Sequence, residues 1–483
     1  MDKINLLPLP NNWIWCSLNE ILNKIESGSK PGGGVNHYSN GVPSIGAEHL
    51  NDNGGFNFHN LRFIPEIFYN NMHKGKIQPY DILIVKDGST TGKVSYVNQQ
   101  FPYSRAAINE HIFLIRGNNQ RIDQEYLFYY LFSGQGHHQI KKKFKGSAQG
   151  GINSGFISDF PIPIPPLQEQ RRIVLEIRLL TTKLRQLSQS LHNLPFMIKK
   201  IRQGILASAF TGNLSLNFSD DINSLPLLEK IKNERKKKWL EIYSQKKFYE
   251  EPIDYREDYV PKLTNRWIYT SIDFISYKLE NGKTPLRSDP SNFDKNGIPL
   301  IKVENIQKNG IVTLVEDQLR ISNHANKKQT KSQIDSGDVL VNIVGPPLGK
   351  VGFVPTELNS ANINQAIVLI RTVNSYSSKL LMYCLLSPFY QNYMYKLARG
   401  DRQLNIRKSD IGRIPIPLIP ELEQKYILKQ IEKSFFNLLQ FENLIKEVRK
   451  KCEYINEVIF FKAFTGKLVI QNPEESSIET LVK

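Results

Sequence analysis

Three stretches of the 483-residue chain set cations beside glycine, and each has a counterpart further on. The first is Ser27-Gly28-Ser29-Lys30-Pro31, answered by Asn281-Gly282-Lys283-Thr284-Pro285 with Arg287 just beyond. The second runs from Lys86 through Asp87-Gly88-Ser89-Thr90-Thr91-Gly92 to Lys93, answered by Val344–Lys350. The third holds Lys141, Lys143, Lys145 and Gln149 and reaches Asn153. Its counterpart holds Lys396, Arg399, Arg402, Gln403, Asn405 and Arg407. Arg and Lys suit phosphate oxygens and the guanine edge, and Asn and Gln suit adenine. The stretches are therefore candidates for reading DNA. The candidates are Lys30, Lys86, Lys93 and the third stretch in the first set, and Lys283, Arg287, Lys350 and the Lys396–Arg407 residues in the second. The third stretch is favoured because it sets cations, amides and glycine beside an expected helix. The alternative for any one residue is a charge that simply faces water. The two sets differ in sequence, which predicts two different targets.

Bond-making chemistry has no comparable carriers. A methyltransferase needs a Gly-rich bend and an Asn/Asp-Pro-Pro-aromatic segment. Gly345-Pro346-Pro347-Leu348 comes nearest and lacks both the polar and the aromatic residue. Gly32-Gly33-Gly34 follows no clear strand, and no Gly-x-x-x-x-Gly-Lys-Ser/Thr is present. Pro79-Tyr80-Asp81 followed by Lys86 lacks the paired acid and lysine of a nuclease core. His137-His138 reads as an exposed loop pair, since no Cys, Asp or Glu lies close. Cys16, Cys384 and Cys452 are scattered singly and suggest neither disulfide nor zinc. The expectation is no catalytic, cofactor or metal site in this chain.

The formal charge is +17, which favours a polyanionic partner over the alternative of a merely basic protein. The start lacks a signal peptide's charged-then-apolar order, and no apolar run approaches the ~20 residues that span a bilayer. A cytoplasmic location is expected.

Something must hold the six loops. Apolar residues fall at Ile173, Ile177, Leu180, Leu184, Leu187, Leu191, Leu194, Ile198, Ile201 and Ile205, a 4-3 heptad spacing. At an offset of 254 the seam returns as Ile427, Ile431, Leu438, Phe441, Ile445, Val448, Ile455 and Ile459, weakened by Ser434 and Cys452. An apolar stripe on a long helix needs cover, so the two helices are expected to cover each other. The first is basic, with Arg171, Arg172, Arg178 and Lys183 among its charges; the second carries seven acids from Glu421 to Glu457. That asymmetry favours pairing inside one chain.

The offset extends to Trp13 and Trp267, to Pro161-Ile162-Pro163 and Pro415-Ile416-Pro417, and to Phe210-Thr211-Gly212 and Phe464-Thr465-Gly466. The chain is thus a tandem duplication of a globular part and a helix. Short strand-like runs such as Ile82–Val85 and Val339–Val344 make each globular part α+β or mostly β, with helices near Gln124–Phe132 and Ser378–Leu386. The proline segments are expected to stop the globular parts ahead of each helix rather than to act as docking ligands. Pro195 is expected to kink the first helix without ending it. The basic run Lys232–Trp239 in the connector reads as solvated or as phosphate-contacting.

These residues resemble a specificity subunit of type I restriction–modification systems. The resemblance rests on Leu9-Pro10-Asn11-Asn12-Trp13-Ile14-Trp15, on Pro163-Ile164-Pro165-Pro166-Leu167-Gln168-Glu169-Gln170 and on Ala209-Phe210-Thr211-Gly212-Asn213-Leu214, in order and repeated around matched helices. The second copy departs in detail: Leu263-Thr264-Asn265-Arg266-Trp267 lacks the proline, and Ile419-Pro420-Glu421 replaces the paired prolines. The resemblance implies two α/β target-recognition domains separated by a long antiparallel two-helix coiled coil, with pseudo-twofold symmetry. It divides the chain into a recognition domain at 1–163, a spacer helix at 164–214, a polar connector at 215–262, a second domain at 263–417, a second helix at 418–468 and a tail at 469–483. It implies that each domain reads half of a bipartite site in double-stranded DNA. The helices would set the gap and dock two methyltransferase subunits, joined by restriction/translocase subunits. S-adenosylmethionine, ATP and Mg would belong to those partners. The alternatives are a self-sufficient methyltransferase or nuclease, and a protein-only coiled-coil adaptor.

Overall fold

The computed structural model describes residues 7–145, 150–219, 222–243, 248–255, 260–358 and 360–475. They fall into two compact units, residues 1–192 with 445–483 and residues 193–444. The strands of the first unit are β1 (Ile14–Ser17), β2 (Leu22–Ser27), β3 (Val42–Ile45), β4 (Arg62–Ile64), β5 (Ile82–Val85), β6 (Val94–Tyr96), β7 (Ala107–Ile108), β8 (Ile112–Gly117) and β9 (Pro161–Ile164). Those of the second are β10 (Ile268–Ser271), β11 (Ser276–Asn281), β12 (Phe293–Ile301), β13 (Arg320–Ile321), β14 (Gln333–Ile334), β15 (Val339–Asn342), β16 (Val351–Phe353), β17 (Ala361–Ile363), β18 (Ile367–Thr372) and β19 (Pro415–Leu418). The helices that matter are α1 (Gln124–Phe132), α2 (Gly134–Lys142), α3 (Leu167–His192), α4 (Leu194–Ala209), α5 (Leu225–Tyr243), α6 (Ser378–Leu386), α7 (Pro388–Leu397) and α8 (Glu421–Ala463).

The fold is an α+β tandem repeat. Each unit has a four-stranded antiparallel sheet, ordered β2-β8-β5-β6 in one and β11-β18-β15-β16 in the other. A smaller sheet lies beside each, β4-β3-β7 and β13-β12-β17-β14. Strand β5 is apolar at every position because both its faces are covered. Ile82 and Ile84 enter the core with Tyr126, Leu127 and Leu131 of α1. Leu83 and Val85 enter a second core with Ile45 and Ile108 of the smaller sheet. In the second unit Val339 and Val341 meet Leu380 and Leu381, while Leu340 meets Ile301 and Ile363.

The proline segments do more than stop the globular parts. Pro161–Ile164 is a strand, paired antiparallel with β1 so that Trp15 faces Pro163 and Ser17 faces Pro161. Backbone groups alternate sides along a strand, so prolines at every second position leave their missing N–H on the side away from β1. The carbonyls on that side accept Tyr130 and Tyr126 hydroxyls, at 2.9 and 2.8 Å from Pro161 and Pro163. β19 pairs with β10 in the same register, and the Tyr376 hydroxyl donates to Pro417 at 3.1 Å.

The connector also departs from its sequence reading. α5 is neither solvated all round nor turned wholly outward. Leu227, Ile231, Arg235 and Trp239, spaced by four, are buried against the second unit. The Arg235 guanidinium donates to the carbonyls of Asp273, Ser276 and Glu250 at 2.9–3.0 Å. Glu234 accepts the backbone N–H of Asn374 at 2.6 Å and of Ser375 at 3.2 Å. Burial pushes its carboxyl up, but these bonds outweigh burial and hold it below the ordinary range.

A tight turn after β3 rests on a ring nitrogen. His49 is fully buried, and its Nδ1 accepts the Gly46 N–H at 2.8 Å. In the second unit Asn305 does the same for the Lys302 N–H, also at 2.8 Å. Accepting that bond requires a neutral imidazole. Burial holds the His49 pKa below its ordinary value. The contribution is therefore complete above the unfolded value, ~6.5, and is lost as pH falls through the lower folded value. Stability of the chain is expected to decline from pH 7 to pH 5. His49→Asn should flatten that decline in denaturant titrations, because an amide does not titrate. An equal decline in the variant would assign it elsewhere.

α8 runs unbroken for 43 residues, whereas the first long helix is α3 and α4 with Asn193 between them. Asn193 keeps right-handed angles, φ −82° and ψ −16°, and the Met197 N–H returns to its carbonyl at 3.2 Å. Pro195 thus sits in the first turn of α4, where a missing N–H is tolerated. In the first unit Ile173 and Ile177 share a core with Ile459 and Ala463, and Arg449 donates to the Leu191 carbonyl at 2.8 Å. In the second unit Leu206 and Ala209 share a core with Ile427 and Ile431, and Arg202 meets Glu442 at 3.1 Å. Inside each unit, rising numbers on one helix meet falling numbers on α8, so the segments are antiparallel.

The seam is not buried evenly. Ile173, Ile177, Leu191, Ile198, Ile427, Ile431, Ile445 and Ile459 are buried; Leu180, Leu184, Leu194, Ile205, Leu438 and Val448 are half-buried. Leu187, Ile201, Phe441 and Ile455 are exposed, contrary to the expectation of a closed stripe. Two helices cover a stripe only along their line of contact, and the full cover of Ile173 and Ile177 includes the globular core. Leu191→Ala is accordingly expected to cost about 2–5 kcal/mol in unfolding, and Leu187→Ala a small fraction of that. Equal losses would show the difference in cover to be unimportant.

Candidate nucleic-acid interface

In the first unit the three loops meet at one end of the main sheet. β5 leads into the second loop, where Gly88 and Gly92 both have φ +89°. The Ile152 N–H donates to the Lys86 carbonyl at 2.7 Å, tying the third loop to the second. Lys145 and Gly151 exchange backbone bonds at 3.0 Å across the neck of the third loop. The Lys86 ammonium reaches the Ser27 hydroxyl at 3.2 Å, tying the second loop to the first. Gly28 is pressed against the β7–β8 turn: a Cβ there would lie 2.1 Å from the Ile108 carbonyl oxygen.

That turn, Asn109-Glu110-His111, is a fourth member that the sequence reading missed. Lys30 pairs with Glu110, and His111 Nδ1 lies 2.5 Å from Asp87. Burial pushes the Glu110 carboxyl up, but the Lys30 ammonium and a backbone N–H outweigh it and hold it below the ordinary range. The available signal was Asn109, matched by Asn364 at the same turn of the repeat.

The second unit is stitched by backbone contacts at corresponding places. The Gly345 N–H donates to Leu404 and the Ile406 N–H to Ile343, both at 2.9 Å. Arg399 and Asn405 exchange backbone bonds at 2.9 and 2.8 Å. The Lys283 N–H donates to Ile363 at 3.0 Å, and Thr284 bonds Gln365. A Cβ on Gly282 would lie 2.0 Å from the Asn364 carbonyl oxygen.

The candidates divide by what they already hold. Lys30, Lys141, Lys145, Asn153, Lys283, Arg287, Lys396, Arg399, Arg402, Gln403, Asn405 and Arg407 are exposed residues of these loops and their flanks. Lys141 ends α2, Arg407 precedes a short helix at Lys408–Gly412, and Asn153 accepts the Gly155 N–H at 3.1 Å. Lys86, Lys93, Lys143 and Lys350 are half-buried. Lys93 meets Asp52 at 2.8 Å and Lys143 meets Asp159 at 3.7 Å. Lys350 is spent internally, donating to the carbonyls of Val303 and Ile306 at 3.2 and 3.0 Å. Gln149 lies outside the described residues. His137 packs under the second loop, its Nδ1 3.2 Å from the Gly92 carbonyl, as part of α2 rather than of a loop.

A surface of this kind has loops held together by backbone hydrogen bonds and carries exposed cations and amides, which suits phosphate positioning and base-edge reading. The family model described as type I restriction modification DNA specificity domain matches residues 10–189 and again 269–449. The chain belongs to that family. It is 23% identical over 468 residues to the type I restriction enzyme EcoBI specificity subunit of Escherichia coli, covering 96% of this chain and 88% of that one. It is 22% identical over 482 residues to the MjaVIII specificity subunit of Methanocaldococcus jannaschii, covering 96% and 95%. The fold is similar to the crystal structure of the HsdS subunit from Thermoanaerobacter tengcongensis, with TM-score 0.62, 17% identity and coverage of 96% and 99%. Among the described residues no helix is long and apolar enough to cross a membrane.

Proposed function

We propose that the chain is the non-catalytic DNA-recognition subunit of a type I restriction–modification complex. The recognition domains, 1–163 and 263–417, each read one half of a bipartite, asymmetric site in double-stranded DNA. The long helices set the gap between the halves and dock two methyltransferase subunits; restriction/translocase subunits join that core in the cytoplasm. Adenine methylation and ATP-driven cleavage, with S-adenosylmethionine, ATP and Mg, belong to the partners.

One observation carries this reading: in each unit, loops far apart in sequence are joined by backbone hydrogen bonds into one surface that carries exposed cations and amides. The two surfaces differ in composition, as reading two unlike half-sites requires. Incubating the purified chain with DNA and labelled S-adenosylmethionine should transfer no methyl group until the methyltransferase subunit is added. Transfer by the chain alone would defeat the reading. The loaded complex should lose DNA affinity steeply with salt, with a slope of about −0.9 per neutralised phosphate. A flat response would favour a protein-only adaptor.

A further inference from the structure

Two ion pairs occupy corresponding places in the two units and carry opposite signs. In the first unit Glu125 on α1 accepts two guanidinium nitrogens of Arg178 on α3, one of them at 2.5 Å. At the same offset of 254, Lys379 on α6 donates to Glu432 on α8 at 3.0 Å. Acid on the domain and base on the helix becomes base on the domain and acid on the helix. The neighbouring side chains invert in size as well. α1 brings Phe128 and Phe132 to a groove of about 1040 Å³, where α3 contributes Thr181. α6 carries Met382 and Leu386 at those places, and α8 carries Phe435 for Thr181. The Phe435 ring packs edge-on against Tyr383, with centroids 5.5 Å apart.

We infer that these contacts key each recognition domain to the N-terminal part of its own long helix and reject the N-terminal part of the other. A tandem repeat offers two similar domains to two similar helices, and a second copy of the chain offers the same parts again. Crossed pairing would set Glu125 against Glu432 and Lys379 against Arg178. It would also set large against large in one crossed pair and small against small in the other. Like charges and misfitted volumes penalise the wrong partner even where the right pair adds little stability. The partly exposed side chains of Arg178 and Lys379 suit that role, since discrimination needs no buried charge. On the DNA-recognition reading above, the key also fixes the order of the two half-sites. The pairing itself is tested without DNA, so its failure and that of the reading are separable.

The test reverses the domain charges in the full chain. In E125K/K379E the attractive partners are the crossed ones. Sedimentation velocity is expected to reveal a concentration-dependent dimer beyond the wild-type level, with a melting temperature lower by a few degrees. Reversing the helices too, in E125K/K379E/R178E/E432K, should restore wild-type sedimentation and melting. A double variant that behaves as wild type, or a fourfold variant that does not recover, overturns the inference.

Discussion

Glu423→Ala is expected to destabilise the second unit by about 3–5 kcal/mol, as removal of one partner of a buried ion pair does. Glu423 is fully buried at the start of α8. One carboxylate oxygen accepts the Trp267 indole N–H at 2.8 Å, and the other meets Arg266 at 3.0 Å. The substitution leaves a buried guanidinium facing a cavity and frees the tryptophan that closes the start of the domain. The first unit makes the comparison informative. Glu169 accepts the Trp13 indole N–H at 3.0 Å, but Asn12 stands where Arg266 stands. Burial pushes the Glu169 carboxyl up, and the Trp13 N–H needs only an oxygen acceptor, which a neutral amide also offers. Glu169→Gln should therefore be milder than Glu423→Gln. Chemical denaturation followed by tryptophan fluorescence would read both; equal losses would mean that the arginine adds nothing.

Arg402→Ala with Gln403→Ala is expected to cost the complete complex about 2–6 kcal/mol in binding its target, since each side chain that reads a base edge supplies roughly 1–3 kcal/mol. Affinity for unrelated duplex DNA should change far less. Both residues are exposed at the tip of a loop pinned on either side by the Arg399–Asn405 backbone bonds. Lys396→Ala should behave differently, weakening all sequences alike and lowering the salt slope by about one. Anisotropy titrations on target and scrambled duplexes over a range of salt separate the two outcomes. A uniform loss from the double variant would place Arg402 and Gln403 on phosphates.

Much of this was legible from residue order. The offset of 254 needs only residue order, and the apolar runs of β5 and β15 and the two long helices are local patterns, which survive folding. What stayed hidden depended on partners distant in sequence. The Pro161–Ile164 strand is defined by β1, and nothing within the segment announces that pairing. Arg235 looked like one more charge in a basic run, because its acceptors are carbonyls on β11 and beside it. The openness of Leu187 and Phe441 could not be read from a heptad count, which marks a stripe without saying how much covers it. For the loops, sequence marked the cations but not their use: Lys350 reads like its neighbours, yet donates inward.

Sequencing methylated adenines in cells that carry the complete system tests the central claim most directly. The chain is compared as wild type, as R402A/Q403A and as K145A/N153A. Each variant is expected to relax one half of a bipartite consensus, a different half for each, while the other half and the gap stay fixed. If either variant altered both halves together, or both variants altered the same half, the two loop clusters would not be independent readers.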